Sequence, residues 1–143
     1  MQLSIVIPLL NEEKSLPELY NWIIEVMQAN NYSYEIIFID DGSTDQSSNK
    51  IKDIVSNDNQ VTLISLKKNY GKSNALNIGF DMSRGDIVVT MDADLQDDPY
   101  EIKNLLAKIE EGWDVVSGWK EDRKDPYSKR IPSKIFNFIV RKN

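Results

Sequence analysis

The chain has 143 residues, of which 41% are hydrophobic and 28% are charged, as is usual for one soluble globular domain. It contains no cysteine and no histidine, which excludes disulfides, thiolate or imidazole metal sites, and Ser-His or Cys-His catalysis. Any chemistry must therefore use carboxylates, amides, lysines or a hard cation. The first residues lack the basic region of a signal peptide, and no apolar run approaches the ~20 residues of a membrane span.

The net charge of −6 is unevenly distributed. Residues 1–119 carry 9 Lys and Arg against 20 Asp and Glu, a net charge of −11, whereas residues 120–143 carry 8 against 3, a net charge of +5. An acidic body and a basic C-terminal segment indicate two surfaces with different partners. We therefore divide the chain into a core, residues 1–119, and a basic amphipathic segment, residues 120–143.

Short apolar runs alternate with longer amphipathic stretches along the sequence. In chain order the pattern predicts a strand over 3–7, a helix over 16–27, a strand over 34–39, a helix over 45–56, a strand over 61–66, a helix over 72–82, a strand over 86–91, a helix beginning near Asp98, and a fifth strand over 114–119. Strands separated by helices form β-α-β units, and continuously apolar strands indicate burial on both faces. The predicted fold is α/β, a mostly parallel central sheet flanked by helices on both faces.

Local signals mark where two of the helices begin. Ser15 followed by Glu18 is a capping-box pattern, and Pro17 fits a first helical turn. Asp98 directly precedes Pro99, which favours a capping role for that carboxylate.

Polar loops follow four of the predicted strands. They read PLLNEE (8–13), DDGSTD (40–45), KKNYGKSNA (67–75) and DADLQDDP (92–99). Ligands of parallel α/β sheets bind beyond the carboxyl ends of the strands. We therefore expect acidic, amide and lysine groups to meet at one edge of the sheet and to form the functional site there.

Familiar phosphate and calcium motifs do not fit these loops. None contains G-x-G-x-x-G, the GKS at 71–73 has Leu66 where a P-loop needs its first glycine, and an EF-hand counted from Asp92 has Asp97 at its glycine position. What remains is Asp92-Ala93-Asp94, whose two carboxylates could hold Mg²⁺ or Mn²⁺ against a diphosphate. Four aspartates lie within residues 92–98 without a basic neighbour, so we expect a cation arriving with the substrate to balance them.

Together, SIVIPLLNEE, IIFIDDGSTD, NYGKSNALNIGF and GDIVVTMDADLQDDP resemble a family 2 glycosyltransferase of GT-A fold. The likeness is greatest to the polyprenyl-phosphate branch, which includes dolichol-phosphate mannosyltransferases and bacterial undecaprenyl-phosphate glycosyltransferases. It extends over essentially the whole chain, and residues 116–137 resemble that branch's segment approaching the membrane. The resemblance implies metal-dependent transfer of a sugar, with inversion, from a UDP- or GDP-linked donor to an acceptor, with a polyprenyl phosphate favoured.

The resemblance also implies roles for individual residues. Pro8, Leu9 and Leu10 would line the base pocket, with Asn11 and Glu12 at its edge. Asp41, with Asp40, would bind the base or ribose, and Lys72 would face the nucleotide. The expected nucleotide-sugar site is Pro8, Leu9, Leu10, Glu12, Asp40, Asp41, Lys72, Asp92, Ala93 and Asp94. The expected metal ligands are Asp92, Asp94 and Gln96, of which the two aspartates are also the catalytic residues.

The acceptor is the less constrained substrate. A lipid phosphate is anionic near neutral pH and needs little help from a base, whereas a hydroxyl acceptor needs a positioned carboxylate, for which the sequence shows no mark. The basic residues of 120–143 are interleaved with aromatic and aliphatic ones, a pattern that suits a lipid headgroup layer. We expect Arg123 and Arg130 to grip the acceptor phosphate. The alternative is a solvated face that packs Ile135 and Phe138 on the core.

The implied setting is cell-envelope or glycolipid synthesis in the cytoplasm, at the inner face of the membrane, with no nucleic-acid partner. Other interpretations are a phosphohydrolase with Asp92 as nucleophile, a nucleotidyltransferase, or a non-catalytic nucleotide-sugar-binding module.

Members of the branch continue well beyond 143 residues, and this sequence ends within an apparent helix. We therefore expect these residues alone to bind nucleotide without completing transfer. The sequence does not decide the sugar or whether the chain forms a homo-oligomer.

Overall fold

The computed structural model describes residues 2–118, in which strands and helices alternate. The elements are β1 (Gln2–Leu9), α1 (Leu16–Ala29), β2 (Ser33–Asp40), α2 (Ser47–Asn57), β3 (Val61–Ser65), α3 (Lys72–Met82), β4 (Ile87–Thr90) and α4 (Ile102–Glu110). A 3₁₀ turn, Pro99–Glu101, leads into α4. The predicted basic segment, residues 120–143, lies outside the described residues.

The four strands form one parallel sheet in the order β3-β2-β1-β4. β1 and β2 pair along their whole length, from Gln2 opposite Ser33 to Leu9 opposite Asp40. The chain moves outward from β1 to β3 and then returns across β1 to place β4 on the other side. The strand order therefore reverses between β1 and β4, and the crevice beyond such a reversal is where ligands bind in open α/β sheets.

Helices cover both faces of the sheet, as the sequence predicted. Leu3, Ile5 and Ile7 of β1 belong to a large apolar core with α1, α2 and α4, because alternate side chains of a strand point to one face. Val6 joins a smaller cluster with α3 on the opposite face. Here α3 lies so close that a Cβ on Gly79 would stand 2.3 Å from Val6 Cγ1.

Pro8 is tolerated in the central strand β1 because the pairing of β1 with β4 stops before it. β4 pairs with β1 from Leu3 to Val6, and the last contact on that side is the Met91 N–H donating to the Val6 carbonyl (3.1 Å). Pro8 lies two residues beyond Val6, and its backbone is directed toward the same side of β1 as that of Val6. Among residues 2–118 no ladder partner lies opposite Pro8 on that side. Its missing N–H therefore costs the sheet no hydrogen bond.

The fifth predicted strand is wrong over the described part of its range. Residues 114–118 are not in a strand, and Val115 is 85% exposed. An apolar run becomes a strand only where a ladder partner and a covering layer are available, and residues 112–118 instead line an open cleft beside β4. Trp119, the last residue of that prediction, lies outside the described residues.

The predicted capping box at α1 is also wrong. The Ser15 side chain makes no cap hydrogen bond, because a turn before α1 directs its hydroxyl to Glu12 instead. Ser15 Oγ donates backward to the Glu12 carbonyl and carboxylate, at 3.0 Å each. The proline prediction is confirmed, since Pro17 lies in the first turn of α1.

A buried carboxylate ties the α3–β4 connection to the amino edge of the sheet. Glu35 of β2 is 5% exposed and accepts hydrogen bonds from Ser4 Oγ (2.6 Å) and the Arg84 N–H (2.7 Å). The Arg84 guanidinium lies 3.2 Å from its other oxygen, and Ser4 Oγ also accepts the Gly85 N–H. Burial raises the pKa of Glu35, but these hydrogen bonds and the Arg84 charge outweigh burial and hold the pKa below its usual value.

No helix of residues 2–118 combines the length and the apolar character needed to cross a membrane.

We predict that Glu35→Gln lowers the free energy of unfolding at pH 7 by about 2 kcal/mol, because an amide replaces a charged acceptor of buried donors. The Glu35 pKa is depressed in the folded state, so its contribution is fully present above the unfolded pKa and is lost as pH falls through the folded pKa. Urea unfolding of both proteins at pH 7 and at decreasing pH below 4.5 should show the difference narrowing. A difference that is independent of pH would contradict this account.

Candidate functional site

The loops after β1 and β2 are joined by reciprocal hydrogen bonds. The Asn11 N–H donates to Ser43 Oγ, and Asn11 Oδ1 accepts the Thr44 N–H, each at 2.8 Å. The Glu12 N–H donates to Ser47 Oγ at 2.8 Å. Asn11 has a φ of +57°, a left-handed conformation that asparagine tolerates better than most residues. Asn11 thus has a structural role next to the predicted base pocket.

A second reciprocal pair strengthens the same connection. The Glu13 N–H donates to Asp45 Oδ2 (3.2 Å), and Glu13 Oε2 accepts the Gln46 N–H (2.9 Å). Asp45 Oδ1 also accepts the Ser47 N–H, so Asp45 lies just before α2, which begins two residues later than predicted. Burial raises the pKa of Asp45, but hydrogen bonds from Ser47 and the Glu13 N–H outweigh burial and lower it.

Asp41 joins the loop after β2 to the loop after β3. It is 4% exposed, and its two carboxylate oxygens accept the N–H groups of Tyr70 (2.8 Å) and Gly71 (2.9 Å). The neighbouring Gly42 has a φ of +81°, and a Cβ there would stand 2.5 Å from the Lys68 carbonyl carbon. The two loops therefore touch through their backbones, and a side chain at residue 42 would separate them.

The predicted roles of Asp40 and Asp41 in base or ribose binding stay predictions. Asp40 is 2% exposed, and its Oδ1 accepts the Ser43 N–H at 2.8 Å. A carboxylate oxygen can accept two hydrogen bonds, so the contacts to backbone leave acceptor capacity on Asp41. The primary observed effect of both carboxylates is to shape the loops.

Lys72 and Asp92 form an ion pair across the site. Lys72 is the first residue of α3 and directly follows Gly71, whose N–H is held by Asp41. The Lys72 side chain is 59% exposed and that of Asp92 34% exposed, so the pair lies at the surface of the crevice. A lysine 20 residues away in sequence therefore contacts Asp92, in addition to the cation that we expect to arrive with the substrate.

The other carboxylates of residues 92–98 shape their own loop. Asp94 Oδ1 accepts the Gln96 N–H (3.0 Å), Asp97 Oδ2 accepts the Asp92 N–H (2.7 Å), and Asp98 Oδ1 accepts the Tyr100 N–H (2.9 Å). The last contact confirms the predicted cap. These bonds close a turn in which Asp94, Gln96 and Asp98 are exposed to solvent.

Tyr100 anchors this loop to α1. Its hydroxyl donates to Glu25 Oε1 at 2.7 Å, and its ring meets the Trp22 ring edge-on with 6.2 Å between centroids. The loop after β4 is therefore fixed at its far end to a helix that packs in the main core.

The donor atoms present suit a hard cation that brings further ligands with it. Asp92, Asp94 and Gln96 offer carboxylate and amide oxygens, which Mg²⁺ and Mn²⁺ prefer. Within residues 2–118 no group of three or more His, Cys, Asp or Glu is arranged to hold a metal ion. Two carboxylates with vacant positions for phosphate oxygens are typical of a cation bound together with a diphosphate.

An open cleft of about 1460 Å³ lies between α3, β4 and α4. Four predicted site residues line it, namely Pro8, Lys72, Asp92 and Gln96. Leu9 and Ala93, each 4% exposed, belong to the apolar core instead. Leu10 is exposed at the end of β1. Among the described residues, Leu10, Glu12, Asp40, Asp41 and Asp94 are outside the cleft lining, and Arg123 and Arg130 lie outside the described range.

Solved structures of glycosyltransferases share this fold. TarS residues 1–349 of S. aureus aligns with a TM-score of 0.67 and 26% identity over 90% of this chain and 39% of its own. Glucosyl-3-phosphoglycerate synthase from Mycobacterium tuberculosis, in complex with Mn²⁺, UDP and phosphoglyceric acid, aligns with a TM-score of 0.59 and 27% identity over 76% of this chain and 38% of its own. The fold is the GT-A fold, as expected from the sequence.

The sequence comparison then gives the family. The profile of glycosyl transferase family 2 matches residues 4–142, so the chain belongs to that family. An undecaprenyl-phosphate 4-deoxy-4-formamido-L-arabinose transferase of Shewanella sediminis is 45% identical over 98% of this chain and 43% of its own length. A protein of the same name from Proteus mirabilis is 41% identical over 99% of this chain and 44% of its own. The chain spans less than half the length of these relatives, and the resemblance to the polyprenyl-phosphate branch is confirmed.

We predict that Asp41→Asn releases the start of α3. An amide keeps one acceptor oxygen for two backbone donors, so the free energy of unfolding should fall by about 1–3 kcal/mol. Hydrogen exchange should show lost protection at Tyr70 and Gly71, with the amides of β1 unchanged. The matched control is Asp81→Asn, an exposed aspartate on α3 itself, which should preserve protection. Unaltered exchange at Tyr70 and Gly71 in Asp41→Asn would refute this role.

Proposed function

We propose that this chain is the donor-binding part of a glycosyltransferase, and that it binds a nucleotide-diphosphate sugar with Mg²⁺ or Mn²⁺ at the carboxyl edge of the sheet. One observation carries the proposal. At the reversal of strand order, a lysine from the third strand-end loop and carboxylates from the fourth meet in one open cleft. Positive and negative groups together in a crevice suit a ligand that brings both a diphosphate and a cation.

Two observations support binding of a divalent cation, namely the oxygen ligands that the loop offers and the Mn²⁺ in solved structures that share the fold. The mycobacterial synthase described above was solved with Mn²⁺ and UDP. A mannosyltransferase from Pyrobaculum calidifontis was solved with GDP-Man and Mn²⁺ and aligns with a TM-score of 0.58 and 27% identity over 64% of this chain and 27% of its own. When bound, such a cation stabilises negative charge on the leaving diphosphate. We assign Asp92, Asp94 and Gln96 as the residues that hold it.

Residues of this chain then have distinct tasks in donor binding. Pro8, two residues beyond the end of the β1–β4 ladder, and the backbone of Leu9 and Leu10 would bound the base. The Lys72 ammonium would contact the diphosphate, since it already lies beside Asp92 at the mouth of the cleft. Asp41 would act on this arrangement through the backbone of Gly71.

For the acceptor we propose a polyprenyl phosphate. The two curated relatives described above are named undecaprenyl-phosphate transferases. An acceptor phosphate oxygen is anionic near neutral pH, so it can attack the anomeric carbon from the face opposite the diphosphate without a protein base, and the configuration inverts. Arg123 and Arg130 are the proposed acceptor contacts, which would place the full-length protein at the inner face of the membrane in envelope synthesis.

We predict that one nucleoside diphosphate raises the melting temperature in the presence of Mn²⁺ and not in EDTA. UDP, GDP, CDP and dTDP would each be compared, because a ligand specific for the folded state adds about 2.7 kcal/mol of stability at 100 times its Kd. Asp94→Asn should abolish the metal-dependent shift. Its amide oxygen can still accept the Gln96 N–H, so the loop turn is kept and only the charge is removed.

Asp53→Asn, at an exposed position on α2, is the matched control and should retain the shift. Stabilisation that is equal in Mn²⁺ and EDTA would contradict the metal assignment. The absence of any shift with all four nucleotides would overturn the proposed function and favour a phosphohydrolase or a non-catalytic module, which phosphate release from a simple ester would separate.

A further inference from the structure

Lys72 contacts the carboxylate that the proposed cation would also use. Its ammonium pairs with Asp92 Oδ1, and Asp92 is one of only two carboxylates assigned to the cation. A divalent ion entering beside Asp92 must share the carboxylate with the ammonium or displace the ammonium. It must also bear the repulsion of a positive charge at close range, which an exposed site screens only in part.

We propose that Lys72 is a resident counter-cation, which opposes binding of the divalent ion alone and moves to the diphosphate when nucleotide and ion bind together. This inference rests on the proposed function and goes beyond it. It assigns Lys72 two opposite effects, a penalty on binding of the bare ion and a contribution to binding of the nucleotide. Ion and nucleotide then bind cooperatively, because the anion removes the repulsion between the two cations.

The way Lys72 is held makes such a transfer feasible. Its backbone is anchored, since Asp41 holds the Gly71 N–H and α3 packs tightly on β1 through Gly79. Its side chain is 59% exposed, and a lysine stem has four rotatable carbons that let the ammonium change partner at low cost. Lys72, Asp92 and Gln96 line the same cleft, so the ammonium can leave Asp92 and still reach a diphosphate bound there.

The competition is measurable with Mn²⁺ alone. Titration of Mn²⁺ at low ionic strength, followed by calorimetry or by the electron paramagnetic resonance of the free ion, would compare the wild type with Lys72→Met. Removing the ammonium should tighten Mn²⁺ binding about two- to fivefold, which is the range expected for losing an exposed ion pair. Lys72→Arg keeps the charge and should bind Mn²⁺ like the wild type.

A second titration tests the proposed contribution of Lys72 to nucleotide binding. With Mn²⁺ saturating, UDP and GDP would each be titrated into the same proteins, and Lys72→Met should weaken binding of whichever one the wild type binds. The matched control is Lys68→Met, an exposed lysine whose ammonium lies 5.2 Å from the Tyr70 ring, and it should change neither titration. Opposite signs for the two ligands distinguish displacement from general damage to the fold, which would weaken both.

Mn²⁺ affinity that is unchanged or weaker in Lys72→Met, or no Mn²⁺ binding to either protein, overturns the inference. A Lys72→Arg variant that binds Mn²⁺ as tightly as Lys72→Met overturns it as well, because the charge would then not be responsible. If the wild type binds Mn²⁺ but none of UDP, GDP, CDP and dTDP, the proposed function fails, and the Mn²⁺ titration still decides whether Lys72 opposes the ion.

Discussion

The buried carboxylate of Asp41 connects the sheet to the chemistry at its edge. Its two oxygens accept the N–H groups of Tyr70 and Gly71, and the next residue, Lys72, begins α3 and reaches Asp92. Two hydrogen bonds to backbone therefore hold the chain immediately before the helix from which Lys72 reaches Asp92. A carboxylate with 4% exposure is stable there because both oxygens have donors, as buried charged groups require.

The strand-end loops consequently behave as one connected platform. Asn11 and Glu13 tie the first loop to the second, Asp41 ties the second to the third, and Lys72 ties the third to the fourth. The opposite end of the sheet has its own closed network around Glu35. The difference lies in exposure, since Glu35 is buried whereas Lys72 and Asp92 are partly exposed. The carboxyl edge therefore presents the partly exposed charges of Lys72 and Asp92 to a ligand.

Most of the fold was predictable because apolar periodicity reports burial directly. Residues 72–82 were predicted as a helix and form α3 with those limits, and four strands match within a few residues. The predicted strand over 114–119 is wrong within the described range because an apolar run does not show whether a ladder partner exists. The Ser15 capping box is wrong because the preceding turn, which comes from contacts at Glu12, determines the serine's orientation.

The position of the candidate site at the strand ends was predictable from the sequence. The contacts between its residues were less predictable. The rule of strand ends placed Asp92 and Asp94 correctly at the edge, since it depends only on topology. The roles of Asp41 and Lys72 depend on partners 29 and 20 residues away, and no local pattern marks such a pairing. Tyr70 and Gly71 were missed as Asp41's partners for the same reason. Gly71 has a φ of +95°, a conformation that glycine adopts at little steric cost.

The central claim is that a cation and a diphosphate bind where the third and fourth strand-end loops meet. Paramagnetic broadening by Mn²⁺ tests it most directly. Substoichiometric Mn²⁺ would be added with UDP or GDP to ¹⁵N-labelled protein, and the loss of amide signals would be recorded. We expect the strongest broadening at residues 92–96 and 71–73, with Glu35 and Gln60 at the opposite end of the sheet unaffected. Broadening centred away from these loops, or spread evenly over the acidic surface, would contradict it.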